Sequence, residues 1–397
     1  MTVFIGNRTE RQMQAIPAKE RLEDAAILRN VERALAEVRR GAPLILLARD
    51  GHAALAVPAE AVTDNILTQF RDLSGTNPVL LITPERAAAI GVLSAQGKTG
   101  ADQILALSLA DLDAKAIGPL ADPVPPNMPA EFNLVRDPLP LSLTQGAIDL
   151  AKLARLLPAA VIAPLQAQSP DSLRQWSENH GLLWVWADDV THYGLAAAHQ
   201  LVRVAEARIP LEGAEDTRVI AFRPSDGGVE HLAIVVGRPK PENPLLVRLH
   251  SECFTGDLLG SLRCDCGDQL RGAIEAIGKE GAGILLYLNQ EGRGIGLVNK
   301  LRAYQLQDLG ADTLEANETL GFGADERIYK PAAEMLRQLG FDRIRLLTNN
   351  PEKVGGLTDW GQSWGLTVVE RVPHSFPSNG HNDFYLATKA SRFGHLF

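Results

Sequence analysis

Apolar residues recur at helical spacing from Leu22 to Arg40, and Gly41 and Pro43 then interrupt the pattern before the continuous apolar run Leu44-Ile45-Leu46-Leu47. This order predicts a helix followed by a buried strand. A second pair is Pro78 to Ile82 followed by Pro84 to Ile90, where Thr83 suits an N-cap and Pro84 the first helical position. Prolines at 119, 123, 125, 126, 129, 138 and 140 predict an irregular crossing segment. A helix from about Asp188 to Ala207 is expected to bridge the two halves, with Ile209-Pro210-Leu211 opening the second. Beyond it β-rich runs alternate with amphipathic ones: strand Leu245 to Leu249, helix Asp268 to Lys279, strand Gly283 to Leu288 and helix Ile295 to Leu309. Helix Lys330 to Leu339, strand Arg343 to Leu347 and helix Pro351 to Asp359 follow. The alternation predicts an α/β (α+β) fold of two layered domains, each a mixed sheet packed with helices, over residues 1–200 and 201–397.

The chain has 397 residues, 45% hydrophobic and 22% charged, which excludes a disordered, collagenous or coiled-coil protein. A net charge of −9 argues against a nucleic-acid or membrane-surface binder, because such proteins draw their affinity from a basic face. No apolar stretch approaches the roughly 20 residues that span a bilayer, and the first residues lack the apolar core of a signal peptide. A cytoplasmic protein is expected, with no nucleic acid and no membrane as partner. Any phosphate it recognises must be met locally.

All three cysteines, Cys253, Cys264 and Cys266, fall in one short segment of the second half. Their number rules out a disulfide scaffold. Three thiolates without an obvious fourth ligand suit a zinc ion that keeps a position open for water, as catalytic sites do, whereas His250 as fourth ligand would close the site into a structural one. Three buried thiols packing as small hydrophobes is the remaining alternative. Two turns have the form of anion sites. Gln290-Glu291-Gly292-Arg293-Gly294 joins a strand to a helix, so unpaired N–H groups and Arg293 can face a phosphate. Thr348-Asn349-Asn350-Pro351-Glu352-Lys353 does the same, with Asn350 as N-cap and Thr348 and Lys353 within reach of an anion. Gly321 to Arg327 adds Asp325, Glu326 and Arg327 in a glycine-loosened loop. Together these residues describe a metal-assisted hydrolase acting on a phosphorylated substrate.

With those residues in place the second half resembles GTP cyclohydrolase II, the enzyme that opens riboflavin synthesis. The likeness runs from about Leu201 through Arg248 to Cys253, Leu262 to Gly267, Gln290 to Gly296, Arg302-Ala303-Tyr304, Gly321 to Arg327 and Leu347 to Pro351, and on to Gly394-His395-Leu396. The resemblance implies hydrolysis of GTP to 2,5-diamino-6-ribosylamino-4(3H)-pyrimidinone 5′-phosphate, formate and pyrophosphate by a homodimer. It implies a catalytic zinc on Cys253, Cys264 and Cys266, whose water attacks C8 of guanine, and magnesium on the triphosphate. GTP contacts are implied for Arg248, Leu249, His250, Ser251, Glu252, Gln269, Glu291, Gly292, Arg293, Thr313, Thr348 and Lys353. Asp325 matches the family's proton acceptor, Arg327 its nucleophile at the α-phosphate, and Tyr304 its ring-opening tyrosine. A guanidinium with pKa above about 12 is a poor nucleophile, and stabilising charge at phosphorus is its more natural role. Two residues depart from the family pattern: Asn289 stands where arginine is usual, and Ile328 where an acid commonly follows.

The first half more faintly resembles 3,4-dihydroxy-2-butanone 4-phosphate synthase, through Glu32 to Gly41, Ile82 to Arg86 and Ala147 to Leu150. Where that family has a dense acidic run this chain has Ala48-Arg49-Asp50-Gly51-His52-Ala53-Ala54-Leu55, and where it has His-Thr-Glu this chain has Leu143-Thr144-Gln145. Such groups cannot bind a hard cation comparably. The expectation is a retired catalytic domain kept for folding, dimerisation or regulation. A related cyclohydrolase with altered substrate or arrested product, and a non-catalytic nucleotide-binding regulator, stay open as alternatives.

Overall fold

The computed structural model describes residues 18–92, 103–110, 113–124, 134–135, 139–166, 169–225 and 227–396. The first sheet contains β1 (Leu44–Leu47), β2 (Ala53–Pro58), β3 (Val79–Ile82), β4 (Leu105–Ser108), β5 (Leu134–Val135), β6 (Ala159–Leu165) and β7 (Leu183–Trp186). Their order is β5-β4-β3-β6-β2-β1-β7, antiparallel except where β1 meets β7. Helices α1 (Ala18–Arg39), α2 (Asp64–Ser74), α3 (Pro84–Ala89), α4 (Ala114–Ala121), α5 (Leu141–Leu153), α6 (Pro170–Asn179) and α7 (Ala187–His199) pack on it. The run 44–47 is apolar throughout because both its faces are covered. Leu44 and Leu46 point to a core with Val31, Leu35, Ile148 and Val190 from α1, α5 and α7, whereas Ile45 and Leu47 meet Phe70, Ile117 and Leu173 from α2, α4 and α6. Thr83 caps α3 through the Arg86 amide, with Pro84 at the first turn as the sequence predicts.

The second sheet contains β8 (Leu201–Arg208), β9 (Thr217–Pro224), β10 (His231–Val236), β11 (Leu245–Ser251), β12 (Gly283–Leu288), β13 (Arg343–Leu347) and β14 (Thr367–Val372). Its order is β14-β13-β11-β12-β10-β9-β8, parallel from β14 to β12 and antiparallel beyond. Around it lie α8 (Cys266–Glu280), α9 (Leu297–Asp308), α10 (Thr313–Thr319), α11 (Lys330–Leu339), α12 (Pro351–Gly361) and α13 (Asp383–Phe393). Both sheets are thus mixed and packed with helices, as expected.

Three elements differ from the sequence pattern. The bridging helix stops at His199, and Leu201–Arg208 is an exposed edge strand paired with β9. Val202 and Val204 are β-branched, which favours the strand, and no apolar stripe continues along this stretch to seat a helix. Pro119 sits inside α4 rather than in a loop, while Pro125, Pro126, Pro129 and Pro138 lie outside the described residues. Helix α9 begins at Leu297 instead of Ile295, because Gly294 and Gly296 take φ of 98° and 86° and hold the chain out of the helix.

The two halves share a seam. Leu157 packs in one cluster with Ile295, Ala303, Leu306, Ala316, Leu320 and Phe322. Arg302 pairs with Glu60 at 2.6 Å and Asp122 at 3.1 Å. The buried Arg86 guanidinium donates to the carbonyls of Leu120 at 2.8 Å, Pro119 at 2.9 Å and Thr319 at 2.9 Å, joining α3, α4 and α10. Arg86→Met leaves these carbonyls without that donor and is expected to lower stability by about 2–4 kcal/mol. The denaturant midpoint reads this, and an unchanged midpoint would contradict it.

Candidate active site

The parallel strands β13, β11 and β12 end side by side, and the pocket opens at their carboxyl ends, where open α/β sheets commonly place ligands. Strand β11 delivers Arg248, His250 and Ser251, and Cys253 follows it. Strand β12 leads into the turn 290–294, and β13 leads into Thr348 and the N-terminus of α12.

Cys253, Cys264 and Cys266 are free thiols whose sulfurs all lie within 4.8 Å of one another. Cys253 Sγ is 3.8 Å from Cys264 Sγ, too far for a disulfide. Metal–sulfur bonds of about 2.3 Å at tetrahedral angles place sulfurs about 3.8 Å apart, so this spacing fits a zinc site. Gly256 permits it: a Cβ there would lie 2.8 Å from Cys264 Sγ and 3.0 Å from Cys253 Sγ. Lys300 Nζ lies 3.0 Å from Cys253 Sγ and 2.7 Å from Glu291 Oε1. Hydrogen bonds from the other two thiols, assisted by the Lys300 charge, draw the Cys253 thiol far below its ordinary range. The cost falls on its neighbours, since contact with Cys253 pushes Cys264 up to about 11 and also raises Cys266 well above the ordinary thiol range. A dication held by the three sulfurs would favour all three thiolates together. His250 is not part of the cluster among the described residues; its Nε2 lies 3.0 Å from both Asp257 oxygens. The open three-sulfur arrangement is therefore the geometry present.

The opposite wall is cationic. Arg248, Arg293, Arg327 and Lys353 line the pocket and are buried or nearly so. Burial brings Arg248 down to about 10 and also lowers Arg293. Burial, followed by repulsion from Arg248 and Arg327, lowers Lys353 well below the ordinary lysine range. Arg248 is held through the Leu347 carbonyl at 2.9 Å and Gln269 Oε1 at 2.5 Å, and Lys353 donates to the Leu249 carbonyl at 2.9 Å. Arg293 has φ of 60° in a non-helical turn, a conformation costly for a side chain of its size. Its guanidinium lies 3.6 Å over the Phe393 ring. Buried polar atoms without a protein partner remain on Arg248, His250, Ser251, Glu252 and Arg293, all of which line this pocket. Arginine donors left open beside other basic groups in one cavity suit the binding of an anion.

Arg327 reaches the pocket clasped by Asp325, whose oxygens accept from its Nε at 2.8 and 3.0 Å and also bond its Nη2. Burial alone would raise the Asp325 carboxyl, but the Arg327 hydrogen bonds and charge hold it below the usual range. Tyr304, on α9, places its hydroxyl 3.3 Å from Thr255 Oγ1, and burial raises its pKa. Thr313, Thr348, Gln269, Glu252 and Gly292 also line the pocket. Glu291 lines it too, but its carboxylate is taken up by Lys300 and the amides of Phe254 and Gly292. Leu249 is the exception to the expected substrate set: its side chain is in the sheet core and only its carbonyl takes part, toward Lys353.

A family model described as GTP cyclohydrolase II matches residues 202–373. The GTP cyclohydrolase-2 of Azospirillum brasilense is 53% identical over 377 residues, covering 94% of this chain and 95% of that protein. The chain belongs to the GTP cyclohydrolase II family. The riboflavin biosynthesis protein RibBA of Phocaeicola vulgatus is 45% identical over 257 residues, which cover 64% of this chain and 62% of that one. A solved two-domain 3,4-dihydroxy-2-butanone 4-phosphate synthase, RibBX of A. baumannii, spans 80% of this chain and 93% of its own at 20% identity, with a TM-score of 0.36, too slight a likeness to bear on function.

Within this family member, the two departures in the pattern face away from the pocket. Asn289 Oδ1 accepts from Arg155 of the first half, and Ile328 lies against α7, so both line the cavity between the halves. Sequence reasoning missed Lys300, Asn349, Lys389 and His374, which also line the pocket. Lys389 pairs with Asp265 at 2.5 Å, and Asp265 accepts from Gln269, which in turn holds Arg248. The interval from 265 to 389 leaves no local signal of that chain.

His231 is buried at the start of β10, its Nδ1 accepting from the Asn289 amide at 3.1 Å. Burial, aided by the Arg155 charge, lowers it from 6.5 to about 4. Unfolded, it binds a proton below pH 6.5; folded, it stays neutral to about pH 4. Its contribution is complete above the unfolded pKa and is lost on acidification through the folded value. The loss amounts to about 3 kcal/mol. His231→Asn should flatten the fall in unfolding free energy between pH 6.5 and 4 by that amount. An identical slope in the variant would contradict it.

Proposed function

We propose that the chain, as a cytoplasmic homodimer, hydrolyses GTP to 2,5-diamino-6-ribosylamino-4(3H)-pyrimidinone 5′-phosphate, formate and pyrophosphate, the first step of riboflavin biosynthesis. Zinc on Cys253, Cys264 and Cys266 and magnesium on the GTP phosphates complete the site. One observation carries this reading: a single pocket with three sulfurs at metal-ligand spacing on one wall and, on the other, four basic side chains, Arg248 and Lys353 buried and Arg293 and Arg327 half-buried. Family membership supports it from the sequence side. When bound, zinc supplies Lewis acidity and a water acidic enough to act as nucleophile near pH 7.

The chain's own residues supply the rest. Arg248, Arg293 and Lys353, which repel one another without an anion, receive the phosphate chain, and Gln269 with Asp265 and Lys389 holds Arg248 in place. Arg327 stabilises the charge that develops at the α-phosphorus as pyrophosphate leaves. Burial works against its charge, but the Asp325 hydrogen bonds and carboxylate charge outweigh burial and raise its pKa, so it holds its proton and is unsuited to be a nucleophile. Asp325, held below the ordinary range by Arg327, is a weak base and serves to orient the guanidinium. Tyr304 keeps its hydroxyl proton and donates it toward the imidazole portion of the base, beside the sulfurs. Glu291, through Lys300 and the Phe254 amide, fixes the cysteine loop against the turn 290–294.

Purified protein given GTP and magnesium, with products identified by mass spectrometry, tests the reaction. Cys264→Ser should lose zinc and turnover together; active wild-type protein without zinc would refute the metal assignment. Arg327→Ala should slow pyrophosphate release by about 10²–10³-fold, equivalent to roughly 2.7–4 kcal/mol. Tyr304→Phe should still release pyrophosphate and accumulate products with incomplete opening or deformylation of the ring. The opposite pattern in these two variants would show that their roles are reversed.

A further inference from the structure

The segment 320–329 between α10 and α11 carries Asp325 and Arg327 and has no helix or strand of its own. Its anchors come in large part from the first half of the chain. At its start the Thr83 hydroxyl donates to the Gly321 carbonyl at 2.7 Å, and Arg86 donates to the Thr319 carbonyl at 2.9 Å. Gly321 has φ of 90°, and a Cβ there would lie 2.9 Å from Thr83 Oγ1 and 3.0 Å from Pro158 Cγ, so the segment is seated directly on the first half. At its far end Ile328 touches α7, where a Cβ on Gly194 would lie 3.2 Å from Ile328 Cδ1.

Between these anchors the side chains alternate in direction. Arg327 lines the site pocket, whereas Glu326 and Ile328 line the cavity between the halves. Glu326 Oε1 accepts from Lys152 Nζ of α5 at 2.7 Å and from the Gly323 amide at 2.8 Å. The Glu326 amide donates to the Arg293 carbonyl at 3.1 Å, tying the segment to the strained turn on the pocket's other side. The pair is about three-quarters buried, with side-chain exposures of 26% and 24%. Asp149, half-buried and raised in pKa chiefly by desolvation, stands close enough to feel both charges. Without Lys152, Glu326 would face Asp149 with its charge uncompensated, and rotation toward water would release the Gly323 amide two residues before Asp325.

We propose that Lys152 is a positioning residue for the reaction: its ion pair with Glu326 fixes the segment that presents Arg327 to the phosphate chain, so the first half of the molecule completes the active site of the second. This inference rests on the assignment of Arg327 proposed above.

The test uses the full-length protein and compares Lys152→Met, Lys152→Arg and the charge exchange Lys152→Glu with Glu326→Lys. Displacing a reacting group by an ångström can cost about 100-fold, so Lys152→Met should lower kcat for pyrophosphate release by about 10- to 100-fold. KM for GTP should stay within about twofold, since Arg248 and Lys353 are untouched. Lys152→Arg and the charge exchange should recover most of the lost rate. A kcat for Lys152→Met within about twofold of wild type, or a loss equal to the fraction unfolded at the assay temperature, overturns the inference. Arg327→Ala, run alongside, separates the two claims. If it turns over GTP normally, the assignment of Arg327 fails and takes this inference with it; if it is inactive while Lys152→Met is not, only the role of Lys152 fails.

Discussion

Positive charges that share a dry pocket repel one another, and the second half of this molecule is arranged around that repulsion. Arg248, Arg293, Arg327 and Lys353 converge from the ends of three strands and from adjoining turns. Burial, and after it repulsion from Arg248 and Arg327, disfavours the charge of Lys353, whose ammonium donates to the Leu249 carbonyl. The other groups are held more firmly: Asp325 clasps Arg327, Gln269 and the Leu347 carbonyl hold Arg248, and the Phe393 ring lies under Arg293. Each holding contact occupies part of its donor set and leaves other donors, such as Arg248 Nε and Arg293 Nη1, open. Donors and positive charge of this kind suit a polyanion, which would pair with several of them at once.

The sulfur cluster obeys the same electrostatic logic with the sign reversed. One thiol ionises readily beside Lys300, and that makes ionisation of the other two harder. Packing around Gly256 nevertheless keeps all three sulfurs together, an arrangement with no advantage for neutral thiols and a large one for a dication. Lys300 and Glu291 link the two regions. Their ion pair at 2.7 Å joins the cysteine loop to the turn that carries Arg293, so the sulfur wall and the cationic wall are parts of one network.

The first half enters this network from behind. Its sheet, covered on both faces, gives α3, α5 and α7 fixed positions, and these helices bear on the segment from Thr319 to Ile328 through Thr83, Arg86, Lys152 and Gly194. Asn289 and Ile328 of the second half meet Arg155 and α7 in the same cavity.

Much of this was legible in the sequence because it depends on neighbours a few residues apart. Continuous apolar runs such as 44–47 and 283–288 mark strands buried on both faces, and Asn350 before Pro351 marks the start of α12. The clustering of Cys253, Cys264 and Cys266, visible in the sequence, marks a group that could hold a metal ion. Other features belong to distance in space. Leu201–Arg208 reads as the continuation of a helix until β9 offers it hydrogen bonds, and a strand's partner is invisible to local periodicity. Lys389 against Asp265, and Lys152 against Glu326, join residues 124 and 174 positions apart, each pair formed only when two separate elements pack. Local sequence sets which backbone conformations are cheap, but which charges face one another is decided by the packing of whole sheets and helices, because Coulomb energy depends on separation in space and on exclusion of water.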